Sequence, residues 1–102
     1  MDVLAHIKRL VVARKIEFTF KAELERIRDS LTVEDVLESI VNANAIKKVI
    51  RSTSVKRASR REPLYVIESP TFGGMWVYTK GAIRKKGVEE VYYVFISAKL
   101  SN

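Results

Sequence analysis

The chain of 102 residues contains no cysteine, and His6 is its only histidine. Without thiols there is no disulfide framework and no thiolate metal cluster, and one imidazole cannot assemble a zinc site or a Ser-His-Asp triad. Long apolar runs are missing too. The longest, Val91 to Ala98, is interrupted by tyrosines and is too short to span a bilayer. The N-terminus lacks the unbroken apolar stretch of a signal peptide. These absences lead us to expect a cytoplasmic protein with no membrane partner, no metal and no cofactor.

What is present is enough for one domain, residues 1–102. Apolar residues make up 47% of the chain, and a chain of this length buries roughly two-thirds of its unfolded surface, enough for a core without staples. The net charge is +7, and it is unevenly placed. Residues 1–45 carry seven basic and eight acidic side chains, a balance of −1, whereas residues 46–102 carry twelve basic and four acidic, a balance of +8. The second half is therefore the anion-binding candidate. Its densest part holds Lys47, Lys48, Arg51, Lys56, Arg57, Arg60 and Arg61, and a second run is Arg84, Lys85, Lys86.

The apolar period changes at the same place. Val3, Ile7, Leu10 and Val11 fall at helical spacing within residues 2–14. A second helix is expected from Phe20, with Phe20, Leu24 and Ile27 on one face. Thr32 suits an N-cap, with Glu34 and Asp35 in the first turn and a buried stripe of Val33, Val36, Leu37 and Ile40. Beyond Asn44 the pattern predicts strands at Ala45 to Ser54, Leu64 to Glu68, Met75 to Arg84 and Glu90 to Lys99. Turns fall at Ser69 to Gly74 and Lys85 to Gly87. Helices over about 2–44 followed by strands over about 45–100 imply an α+β fold, three helices packed on an antiparallel sheet of about four strands.

Alternation places Trp76, Tyr78 and Lys80 on one side of their strand, and Val91, Tyr93, Phe95, Ser97 and Lys99 on one side of theirs. With compatible register, Tyr78, Lys80 and Lys99 make a basic, aromatic cluster. Half-buried tyrosines beside solvated lysines are the more ordinary outcome of the same pattern. His6 reads as a surface or packing residue, and Gly73-Gly74 as a hairpin turn, since no phosphate-binding glycine motif surrounds it.

Four segments together are similar to the MqsR family of bacterial mRNA interferases, within the wider RelE-like group: residues 45–52 (Ala-Ile-Lys-Lys-Val-Ile-Arg-Ser), 64–70 (Leu-Tyr-Val-Ile-Glu-Ser-Pro), 77–80 (Val-Tyr-Thr-Lys) and 96–99 (Ile-Ser-Ala-Lys). The front half agrees in outline, with Arg-Leu-Val-x-x-Arg-Lys-Ile at 9–16 and Leu-Thr-Val-Glu-Asp-Val at 31–36. The resemblance implies a RelE-like fold and the toxin of a type II toxin-antitoxin system. Its activity would be metal-independent cleavage of single-stranded mRNA, on or off the ribosome, restrained by a cognate antitoxin. It places the catalytic groups at Lys48, Tyr78 and Lys99. RNA contacts are expected from Lys47, Arg51, Lys56, Arg57, Arg60, Arg61, Trp76, Lys80 and Arg84. The family's glutamine on the second strand has no counterpart here, since Tyr65 or Glu68 occupies that region.

Such cleavage needs a proton acceptor for the 2′-hydroxyl, stabilisation of charge on phosphorus, and a donor to the leaving 5′-oxygen. Tyrosine and lysine fill these roles when neighbouring cations lower their pKa values. Two other classes fit the composition: a non-catalytic RNA- or DNA-binding module, and an interaction module that pairs through a sheet edge at Leu64 to Ile67 or Val91 to Ile96.

Overall fold

Each helix starts at a short polar side chain that takes up a backbone N–H left without a partner in the first turn. In the computed structural model, which describes residues 2–51, 62–88 and 90–102, Asp2 caps α1 (Val3–Val12) by accepting from the Ala5 N–H at 3.2 Å. Thr19 caps α2 (Phe20–Arg28) through the Ala22 N–H at 3.1 Å. Thr32 opens α3 (Val33–Val41) with a reciprocal pair: its hydroxyl accepts from Asp35 N–H at 3.0 Å, and the Asp35 carboxylate accepts from Thr32 N–H at 2.9 Å. The last turn of α3 has no basic residue of its own. Lys8 of α1 supplies the cation there, donating to the carbonyls of Val41 and Ala43 at 3.0 and 2.6 Å, where the helix dipole favours positive charge. No helix among the described residues is long and apolar enough to cross a membrane.

The fold is α+β as expected, but the sheet has five strands rather than about four. They are β1 (Ile16–Phe18), β2 (Lys48–Arg51), β3 (Pro63–Pro70), β4 (Trp76–Lys86) and β5 (Glu90–Leu100), in the order β1-β5-β4-β3-β2. All neighbours are antiparallel except β1, which runs parallel to β5. Three residues are too few to display an alternation, so β1 left no periodic signal. β2 begins at Lys48 rather than Ala45, and β3 continues to Pro70. The hairpin turns use Gly74 (φ 92°) and Gly87 (φ 70°) in the left-handed region. Ser52 to Ser54 of the first expected strand, and the basic residues Lys56, Arg57, Arg60 and Arg61, lie outside the described residues.

The pairing of β4 with β5 slips between Lys80 and Gly81: Lys80 faces Ser97, yet Gly81 faces Phe95. Ile96 is the extra residue, a β-bulge. It corrects the expectation that Val91, Tyr93, Phe95, Ser97 and Lys99 share one side. Tyr93 and Phe95 point to the helices, where they pack edge to face with ring centroids 5.1 Å apart, and Phe95 stacks on Phe18 at 4.7 Å. Ser97 and Lys99 fall instead on the opposite face, with Lys80 and Tyr78. The helix-side face of the sheet, with Ile67, Val77, Tyr93, Phe95 and Ala98, meets Ile7, Leu10 and Val11 of α1 and Val36, Leu37 and Ile40 of α3 to form the core.

Helix α2 enters that core only through the buried Ala22. It runs along the free edge of β5 beyond β1. The Glu25 carboxylate accepts from Ser97 Oγ at 2.6 Å and Ala98 N–H at 3.1 Å, and Asp29 accepts from Leu100 N–H at 2.9 Å. The side of α2 turned to the sheet thus carries Ala22, Glu25 and Asp29. Its apolar stripe, Phe20, Leu24 and Ile27, points to solvent with 79, 53 and 60% of each residue exposed.

Two outcomes follow from this architecture. A Cβ on Gly81 would lie 2.4 Å from Cζ of the fully buried Tyr93 ring. Gly81→Ala should therefore cost about 1–3 kcal/mol of stability in urea unfolding, as overpacking does, and an unchanged midpoint would contradict the contact. The Glu25 carboxyl is penalised first by desolvation. Hydrogen bonds from Ser97, Lys21 and Ala98 outweigh that penalty and hold it below the ordinary range. Asp29 is lowered by Arg28 and the Leu100 N–H. Depressed carboxyls stabilise the fold above their unfolded pKa and lose that contribution as pH falls through the folded value. Glu25→Ala should thus cost on the order of 1.5–3 kcal/mol at pH 7, and the gap to wild type should close as the pH is lowered below the carboxylate range.

Candidate functional site

With the helices on one side, the other face of the sheet is free to carry polar residues, and the register assigns its rows. Lys48 pairs with Val66, Val66 with Lys80, and Lys80 with Ser97. One step along, Glu68 pairs with Tyr78, and Tyr78 with Lys99. Pro70 pairs with Trp76 at the end of β4, and Ser101 N–H donates to the Trp76 carbonyl at 2.9 Å. Between the long side chains lie the buried apolar residues Val66, Ala82 and Val94.

Tyr78 and Lys99 are in direct contact, with the Lys99 ammonium 5.3 Å from the centre of the Tyr78 ring. Lys80 follows Tyr78 by two residues on the same side. Lys48 shares the face but stands two strands from β4, roughly 9–10 Å away in the plane of the sheet. The structure thus brings Tyr78, Lys80 and Lys99 together and sets Lys48 at the β2 edge.

The remaining cations divide by whether a carboxylate holds them. Lys47 is paired with Glu68, whose other oxygen accepts from Ser101 Oγ. Arg84 is held by both oxygens of Glu62 at 2.9 Å, and Lys86 is paired with Glu17. Lys47 first, and then Ser101, keep the Glu68 carboxyl below its usual range, so it stands ionised against that lysine. Arg51 of β2 pairs in register with Pro63, on the opposite parity from Lys48. Among the described residues, no ion pair is made by Lys48, Lys80 or Lys99. The neutralising carboxylates Glu62, Glu68 and Glu17 lie 21–69 positions from their partners, and sequence reading missed them because nothing local ties the pairs together.

Tyr93 is not part of this site. Burial, with Tyr65 adding to it, pushes its hydroxyl well above the ordinary tyrosine range, and its ring is in the core. Among the described residues, no cluster of three or more His, Cys, Asp or Glu is placed to hold a metal ion.

A cleft of about 600 Å³ adjoins the row at the Trp76 end, lined by Asn42, Asn44, Lys47, Glu68, Pro70 and Trp76 among others. Trp76 forms one wall with 55% of its surface exposed. The Asn42 amide nitrogen is fixed on the Pro70 carbonyl at 2.9 Å. Sequence reading singled out Trp76 but not the asparagines, which come from the loop after α3 and approach only through the fold.

Comparison with protein-family models, with curated proteins and with solved structures finds no match. The assignment rests on the geometry of the open face.

That geometry predicts where a polyanion binds. Each phosphate contact to a single strand contributes about 0.7 to the slope of log affinity against log salt. Lys80→Ala, Lys99→Ala and Lys48→Ala should each shrink that slope by about this amount for single-stranded RNA, while Lys85→Ala, on the other parity of β4, should leave it unchanged. Equal effects from all four lysines would mean that the open face has no special part in anion binding.

Proposed function

We propose that this protein binds single-stranded RNA across the open face of its sheet and cleaves it there, as a toxin of the MqsR-like, RelE-like kind whose action an acidic antitoxin restrains. The observation that carries this reading is the contact of Lys99 with Tyr78 beside Lys80: a phenol and two ammonium groups that make no ion pair among the described residues, on one face of the sheet. The sequence resemblance, the charge excess of the second half and the order of helices and strands support it.

In the proposed reaction the ribose 2′-hydroxyl loses its proton as its oxygen attacks phosphorus. The P–O5′ bond breaks, the 5′-oxygen takes up a proton, and the products are a 2′,3′-cyclic phosphate and a 5′-hydroxyl. Tyr78 is the group able to accept or donate a proton, and Lys80 and Lys99 offset the charge that develops on the phosphorane oxygens. Lys48, two strands away, holds a neighbouring phosphate. Stacking on Trp76 is a further means of gripping a single strand.

The test is incubation of the purified protein with a long single-stranded RNA in the presence of EDTA, with and without ribosomes. We expect cleavage to cyclic-phosphate ends, reduced about 10²–10⁴-fold by Tyr78→Phe, the range for removal of a general acid or base, and also impaired by Lys99→Ala. RNA that is bound with a steep salt dependence yet stays intact in both settings would overturn the catalytic reading and leave an RNA-binding module.

A further inference from the structure

The open face ends in a cleft that cation-phosphate chemistry does not use. Its two charged side chains, Lys47 and Glu68, are paired with each other, so the cleft presents little net positive charge to a phosphate. Its largest wall is an exposed indole on a strand whose next same-face residue, Tyr78, touches Lys99. Such an environment suits an uncharged, flat, polar-edged group.

We propose that this cleft receives one unpaired purine base of a bound RNA, stacked on Trp76 and read along its edge by Asn44. The choice of ligand rests on the proposed function, because a base at Trp76 would belong to the strand that crosses Tyr78. Trp76 and Tyr78 are two residues apart on β4, about 7 Å along the strand, so the occupant of the cleft and the phosphate over Tyr78 and Lys99 are close neighbours in one chain. Asn44 is exposed and, among the described residues, makes no hydrogen bond. Its amide offers a donor and an acceptor side by side, the pair that matches an adenine edge. Asn42 is tied by its nitrogen to Pro70 and keeps its oxygen as a further acceptor. Base preference at single-strand sites follows stacking strength, and the larger purine ring gives the indole more to cover.

Trp76 is the only tryptophan in the chain, so its emission reports on the cleft alone. Short 2′-O-methyl oligoadenylate and oligouridylate, which cannot be cleaved through the 2′-position, would be titrated into the protein at low and high salt. Tryptophan emission and the anisotropy of a label on the oligonucleotide would be followed together. We expect oligoadenylate to quench Trp76 more than oligouridylate, with the saturating quench retained at high salt. Trp76→Ala should weaken oligoadenylate by roughly five- to 150-fold. Asn44→Ala, at an exposed loop position and checked for an unchanged melting temperature, should abolish the preference for oligoadenylate while leaving the salt slope intact. Binding by anisotropy with unchanged Trp76 emission, or equal quenching by both oligonucleotides, would overturn the purine cleft without touching the cleavage assay. Purine-selective quenching by a protein that cuts no RNA would overturn the catalytic reading and leave the cleft standing.

Discussion

The bulge at Ile96 decides what this sheet presents to solvent. Side chains alternate strictly along a strand, so one inserted residue reverses the facing of everything beyond it. With Ile96 as the insertion, Tyr93 and Phe95 enter the core and Lys99 emerges beside Tyr78. In an unbroken strand, parity would force a choice between the two. Either Lys99 would be driven into the helix-packed side, where an unpaired ammonium is costly, or the two rings would be expelled into water. Gly81 makes the arrangement possible, because the Tyr93 ring lies where any other residue would have its Cβ.

The same strand imposes a second demand at its outer edge. β1 pairs with β5 only over Tyr93 to Phe95, and the backbone from Ile96 to Leu100 would otherwise present open ladder positions, a template for unwanted pairing. The chain meets this with side chains. Thr19, Glu25 and Asp29 are spaced along one side of the Thr19–α2 segment and reach successive groups of the edge. Turning that polar side inward forces the apolar stripe of Phe20, Leu24 and Ile27 outward. The pattern that reads in sequence as a core-facing helix is thus inverted by the need to satisfy backbone hydrogen bonds.

This inversion shows where sequence reading works and where it fails. Thr32 and its following Asp35 are a local signal and specify the start of α3. Val36, Leu37 and Ile40 likewise sit in the core at the expected period. Long strands with aromatic and β-branched residues were visible for the same reason. What was hidden depends on partners remote in sequence: a three-residue parallel strand, a bulge defined only by its neighbour, and the ion pairs that silence Lys47, Arg84 and Lys86. A count of basic residues gives charge, but only the fold tells which charges are already spent. Among the described residues, the excess that looked spread over the second half narrows, on this face, to Lys48, Lys80 and Lys99.

The narrowing limits what chemistry the proposed site can perform. A proton moves between groups in hydrogen-bonding reach, whereas a cation can stabilise a phosphate from further off. Tyr78 has Lys99 against its ring and Lys80 beside it, so proton transfer, if it occurs on this face, belongs to that trio. Lys48 stands two strands away with the buried Val66 between it and Lys80 in the row, which suits it to grip the strand rather than to exchange protons. Glu68 is engaged by Lys47 and Ser101. Its charge is balanced chiefly by Lys47, with Lys48 also within electrostatic reach, so on this face the carboxylate tempers Lys48 more than Lys80 and Lys99.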